Sequence, residues 1–146
     1  MRDEIVIVKS VGKPRDTSSD ELIRWFCRAF GLTEKPEDME PKLLKAIVHA
    51  SFAGKGITSK ELYKMLEEPR STIIYHLNRL IETGVIVRKG RRYYLRSADM
   101  QSTIEELQAD MMREFERFEE YAEKLDSLFE ADNYGREKRK LKRAEK

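Results

Sequence analysis

The chain has a single cysteine, Cys27, and only two histidines, His49 and His76, in 146 residues. One thiol excludes an intramolecular disulfide, and a thiolate metal sensor needs clustered cysteines, so no metal site is expected. The two histidines fall on different predicted helices, and His76 reads as a helix-packing residue rather than a ligand. Cys27 reads as a small side chain beside an apolar stripe. Long apolar runs are also missing. Ile5–Val8 at the N-terminus is four residues, against the ~18 needed to cross a membrane, and MRDE before it is unlike a secretory leader. A soluble, cytoplasmic chain is expected. No phosphate-cradling glycine loop, nucleophile elbow or paired carboxylates outside a surface helix can be found, so neither an enzyme nor a cofactor is expected.

What the chain has is charge, and the charge is sorted. Charged residues make up 38% of the sequence, yet 29 Lys/Arg and 27 Asp/Glu leave a net charge of only +2. Residues 70–96 carry seven basic residues and one acid, a net +6, whereas 98–132 carry twelve acids and three bases, a net −9. Residues 136–146 return to +5. A local positive surface of this kind is what phosphates would meet, and a near-neutral total conceals it.

The order of elements follows from periodicity and punctuation. Glu4–Lys9, with four consecutive β-branched residues, predicts a short strand. Leu22, Ile23, Phe26, Ala29 and Phe30 predict a helix capped within Asp16–Ser19 and stopped at Gly31. After a charged connection over Pro36–Pro41, a helix carries Leu43, Leu44, Ile47, Val48 and Phe52, with Pro41 in its first turn. Thr58-Ser59-Lys60-Glu61 is a capping box that opens a helix with Leu62, Tyr63 and Leu66. Glu68-Pro69 ends it. The next helix starts at Arg70 or Ser71, buries Ile73, Leu77 and Leu80, and stops at Gly84. Two strands, Val85–Val87 and Tyr93–Leu95, flank a basic turn with Gly90 at its tip. From Ser97 to Phe129 there is neither Pro nor Gly, and a long helix of about 50 Å is predicted, more than so small a domain can cover. Its stripe, Ile104, Leu107, Met111, Phe115, Phe118, Ala122, Leu125 and Phe129, is expected to meet a second copy as a coiled coil with a stutter at Leu107–Phe115. The basic tail is expected to be disordered.

Helix, turn, helix and basic hairpin in this order predict a winged helix-turn-helix, mainly α with a small β-wing, followed by a dimerisation helix. The organisation expected is an N-terminal strand and helix extension over 1–40, a DNA-binding domain over 41–96, the dimerisation helix over 97–132 and a basic tail over 133–146. Opposite the buried stripe Ile73, Leu77 and Leu80 lie Ser71, Tyr75, Asn78 and Arg79, with Thr72 and Ile74 at the margins. Arg79 suits guanine, Asn78 suits adenine, and Ser71, Thr72 and Tyr75 suit phosphates or base edges. Arg70 begins the same helix, and Lys89, Arg91 and Arg92 on the hairpin suit phosphate contact or minor-groove insertion. The partner expected is double-stranded DNA at an operator or promoter, bound by a homodimer.

The stretch STIIYHLNRLIETGVIVRKGRRYYLR resembles the ArsR-like winged-helix transcription regulators of archaeal type, whose recognition helix commonly ends in HL..L...G(L/V)(I/V). Here that pattern is His76-Leu77, Leu80 and Gly84-Val85-Ile86. The resemblance covers about Leu43 to Leu95. The first 40 residues with the long acidic helix are similar in layout to archaeal archaellum regulators and to activators that recruit basal transcription factor B. That narrower likeness implies activation through a basal-factor partner, and the broader one implies an effector-responsive repressor; both stay open. A protein-interaction module that keeps the winged-helix shape without reading DNA is the rival from another class. The +6 of residues 70–96 argues against it. RNA binding is disfavoured because Tyr93 and Tyr94 are the only candidates for an aromatic platform.

Overall fold

The computed structural model describes residues 8–32 and 38–144. Among the described residues five helices and three short strands follow one another as α1 (Ser19–Ala29), α2 (Met39–Phe52), β1 (Ile57–Thr58), α3 (Ser59–Leu66), α4 (Arg70–Thr83), β2 (Ile86–Lys89), β3 (Arg92–Leu95) and α5 (Met100–Ala144). The protein is mainly helical with one three-stranded antiparallel sheet in the order β1-β3-β2. It divides into two compact units, Met1–Ala109 and Asp110–Lys146.

Local chemistry accounts for the boundaries in the first unit. The Ser18 hydroxyl accepts from the Glu21 N–H and opens α1. The Thr58 hydroxyl accepts from the Glu61 N–H at 3.1 Å and opens α3; the Glu61 carboxylate, expected to return to the cap, lies 3.7 Å from Arg92. Glu67 ends α3 in the left-handed region, and Pro69 follows as the N-cap of α4. Gly84 closes α4 at φ +90°, a conformation that a Cβ would strain. The Asp99 carboxylate accepts from the Ser102 N–H at 2.7 Å and starts α5.

The core of this unit is apolar and closely filled. Leu43, Leu44 and Ile47 of α2, Leu62 of α3, and Ile73, Leu77 and Leu80 of α4 are completely buried together with Val85 and Ile86. Each such side chain stabilises the fold by about 1.5–3 kcal/mol through transfer from water. Cys27 is completely buried as well, and burial pushes its thiol pKa up to about 12. Phe52, expected on the buried face of α2, is 68% exposed at that helix's last turn.

The hairpin register pairs Ile86 with Leu95 and Lys89 with Arg92, leaving Gly90-Arg91 as a two-residue turn. Gly90 takes φ +63°, as a tight hairpin requires. The third strand, β1, pairs Ile57 with Tyr93 and Thr58 with Arg92, and nothing in the sequence pattern announced it. Gly56 just before it is needed for closeness: a Cβ there would lie 2.6 Å from Tyr94 Cζ and 2.8 Å from Arg92 Cβ.

Three expectations need correction or restriction. The N-terminal strand over 4–9 lies outside the described residues except for Val8 and Lys9; these are not in a strand, and the Lys9 N–H donates to Ala29 O. Leu107 and Ile104 do not belong to a surface stripe. Leu107 is 4% exposed within the core of the first unit, and Ile104 packs against the same core, because the first turns of α5 close that unit. The basic tail continues as helix to Ala144. Lys and Arg are good helix formers, and cations at a helix C-terminus meet its negative dipole end, so a charged segment that cannot build a core can still extend a helix.

Candidate nucleic-acid interface

Between α3, the start of α4 and the hairpin lies an open groove of about 1150 Å³. Lys60 and Tyr63 of α3 line one side, Arg70, Ser71, Ile74 and Tyr75 of α4 another, and Arg88, Arg91 and Tyr93 of the hairpin the third. Four of the described lining residues are cationic and none is acidic. The first turn of α4 contains no acid, and Pro69 offers no capping side chain, so its leading N–H groups add the positive end of a helix dipole.

The sequence-predicted residues separate here into groups. Arg70, Ser71, Tyr75 and Arg91 come together in the groove. Asn78 is exposed further along α4, at i+7 from Ser71 and i+3 from Tyr75, and Thr72 is half-buried. Lys89 is exposed with its Nζ 5.6 Å from the centre of the Tyr94 ring, a cation–π contact that holds it at the hairpin. Arg92 turns toward the fold: its Nη1 donates to Gly56 O at 2.9 Å. Lys60, Tyr63 and Arg88 were not anticipated. Lys60 and Tyr63 belong to α3, which the sequence offers only as a scaffold helix. Arg88 stands within the basic stretch of residues 70–96; its Nε donates to Gly90 O at 2.9 Å, and its guanidinium lies 5.9 Å from the Tyr93 ring centre.

Arg79, expected to suit a guanine edge, is paired with a carboxylate of α2. Its Nη1 donates to Glu40 Oε1 at 2.6 Å, and His76 Nδ1 lies 2.8 Å from the same oxygen. Glu40 is 1% exposed in the first turn of α2. A buried carboxylate without partners is costly, and two partners one helical turn apart on α4 satisfy this one. Arg79 thereby anchors α4 to α2. His49 is exposed on α2.

In the second unit α5 exposes Phe115, Phe118, Leu125 and Phe129 from the expected stripe, together with Met112, Tyr121 and Leu128 beside it. Its acids are exposed too, including Glu116, Glu119, Glu120 and Glu123. Among the described residues no helix is long and apolar enough to cross a membrane, and no group of three or more His, Cys, Asp or Glu could hold a metal. Compared with protein-family models, curated proteins and solved structures, the chain finds no match.

Proposed function

We propose that this protein is a homodimeric, sequence-specific DNA-binding transcription regulator whose reading head is a winged helix-turn-helix. The observation that carries this reading is the groove, where Lys60, Arg70, Arg88 and Arg91 face one space without a carboxylate among the described lining residues. Phosphates of a duplex match such a surface, and neutralising them releases counterions. The order α3, a tight turn, α4 and a two-residue hairpin supports the assignment of α4 to the major groove and of the hairpin to an adjacent one. Arg70, Lys60 and Arg88 then serve the backbone, while Tyr75 and Asn78, on one face of α4, serve base edges.

Dimerisation is supported by the exposed apolar residues of α5, Phe115, Phe118, Leu125 and Phe129 at coiled-coil spacing, since an extended apolar face of this kind marks an interaction surface. The acidic surface of the same helix favours activation through a basic patch on a basal initiation factor over repression by occlusion. Selection of bound duplexes from a random pool tests the reading. A pseudo-palindromic motif supports it, and recovery of unselected sequence removes the specificity claim.

A further inference from the structure

The second unit leaves one apolar face uncovered: Phe115, Phe118, Leu125 and Phe129 are between 51% and 63% exposed. From Met111 to Phe129 this face advances in alternating steps of four and three, the spacing of a coiled-coil seam. We propose that a second copy of this chain covers it with the two helices antiparallel about a dyad at residue 120. The proposal rests on the dimeric reading above and goes beyond it by fixing the orientation.

Side-chain volume is the first argument. In an antiparallel seam centred on residue 120, Phe118 sits against the partner's Ala122, Phe115 against the partner's Leu125, and Met111 against the partner's Phe129. Every layer is apolar, and the smallest residue meets one of the largest. A parallel seam stacks Phe118 on its own copy and Ala122 on its own copy, so one layer is crowded and the one beside it is hollow. Interiors pack to near-crystalline density, and both defects are destabilising.

Charge is the second argument. Residues 110–132 carry nine acids and three bases, a net −6, and residues 136–143 carry six bases and one acid, a net +5. Parallel helices set the +5 block beside its own copy, whereas antiparallel helices carry the two basic blocks to opposite ends. At the flanks of the seam the antiparallel arrangement brings one like pair together, Glu119 and the partner's Glu119. The parallel one brings Glu114 beside the partner's Glu119 twice, once on each side.

Nitroxide labels on the full chain test the orientation, using Glu120→Cys and Lys138→Cys, both at exposed positions. Cys27 is completely buried with a poorly reactive thiol, and the unsubstituted chain serves as the labelling control. Light scattering on the labelled samples supplies the mass, and pulsed dipolar spectroscopy supplies the distance between labels. The antiparallel dimer gives a short distance at 120 and one of about 54 Å at 138, from a rise of about 1.5 Å per residue on either side of the dyad. Short distances of similar size at both positions overturn the orientation while leaving the dimer. A mass of one chain, or of more than two, overturns the second copy as sole occupant and the dimeric reading with it.

Discussion

Glu40 Oε1 lies 2.6 Å from Arg79 Nη1 and 2.8 Å from His76 Nδ1, so a carboxylate from α2 fixes two successive turns of α4. The helix that presents Ser71, Tyr75 and Asn78 is thereby tied to α2 along the flank of that same face. Breaking a wholly buried ion pair costs about 3–5 kcal/mol. Arg79→Ala is expected to cost on the order of 1–3 kcal/mol, because His76 remains and the Arg79 side chain is 36% exposed. Urea unfolding measures this, and a Glu40→Gln, Arg79→Ala double variant should lose less than the sum of the two single losses. Loss of discrimination at one base pair with stability unchanged would return Arg79 to base recognition.

Tyr75→Ala and Asn78→Ala should relax sequence preference by about 1–3 kcal/mol at particular base pairs. Arg70→Ala and Arg91→Ala should instead weaken operator and random duplexes alike. Competition binding with single-base operator variants separates the two classes. A uniform loss across all four substitutions would contradict the division between base edges and phosphates.

Gly56→Ala forces a Cβ into the side chains of Arg92 and Tyr94, at 2.8 Å and 2.6 Å. The Arg92 Cβ cannot swing away without moving β3, so the substitution should lower Tm and loosen the pairing of β1 with β3. Amide exchange at Tyr93, whose N–H faces β1, reads the loosening directly. Unchanged exchange would show that the sheet tolerates the shift.

Glu21 is buried in α1. The Arg28 guanidinium 3.0 Å away holds its carboxyl below the usual range, with burial opposing and the Arg15 N–H and Arg24 assisting. A folded pKa below the ordinary 4.5 makes its contribution fully present above that pH and lost as the pH falls through the folded value. The Tm advantage of the unsubstituted chain over Glu21→Gln should therefore shrink below pH 4.5. A constant difference from neutral pH into acid would contradict the pairing.

Charge reversal at Glu116, Glu119, Glu120 and Glu123 should leave operator binding intact and abolish activation in a reconstituted transcription assay. Full activation by that variant would remove the acidic helix from recruitment, and a protein that only lowers transcription would be a repressor.

The elements that sequence revealed are those whose periodicity is long enough to read. Ile73, Leu77 and Leu80 repeat at helical spacing beside Gly84, and all three are completely buried. The pair Ile57–Thr58 is too short for alternation to register, so β1 emerges only from its pairing with β3. Glu40 stands in a charged run next to Pro41 and reads as solvated; only the approach of α4 makes it an internal anchor. The same approach captures Arg79, whose place on a helical wheel fits a solvent face as well as a neighbour. Along α5 the stripe runs unbroken from Ile104 to Phe129, and nothing in its pattern marks where Leu107 stops serving the first unit. The groove was half legible: the charge sum located α4 and the hairpin, while Lys60 and Tyr63 join them only through the packing of α3 against α4.

The most direct test of the central claim is the affinity of the full chain for duplex DNA across a salt series. Neutralised phosphates give a slope of about −0.9 per contact in the logarithm of the binding constant. Several contacts per head are expected, so affinity should fall steeply with salt, and Arg70→Ala with Arg91→Ala, which removes four contacts from a dimer with two heads, should flatten the slope by roughly 3.6 units. A binding constant indifferent to salt, or no binding at low salt, would contradict a DNA-reading groove.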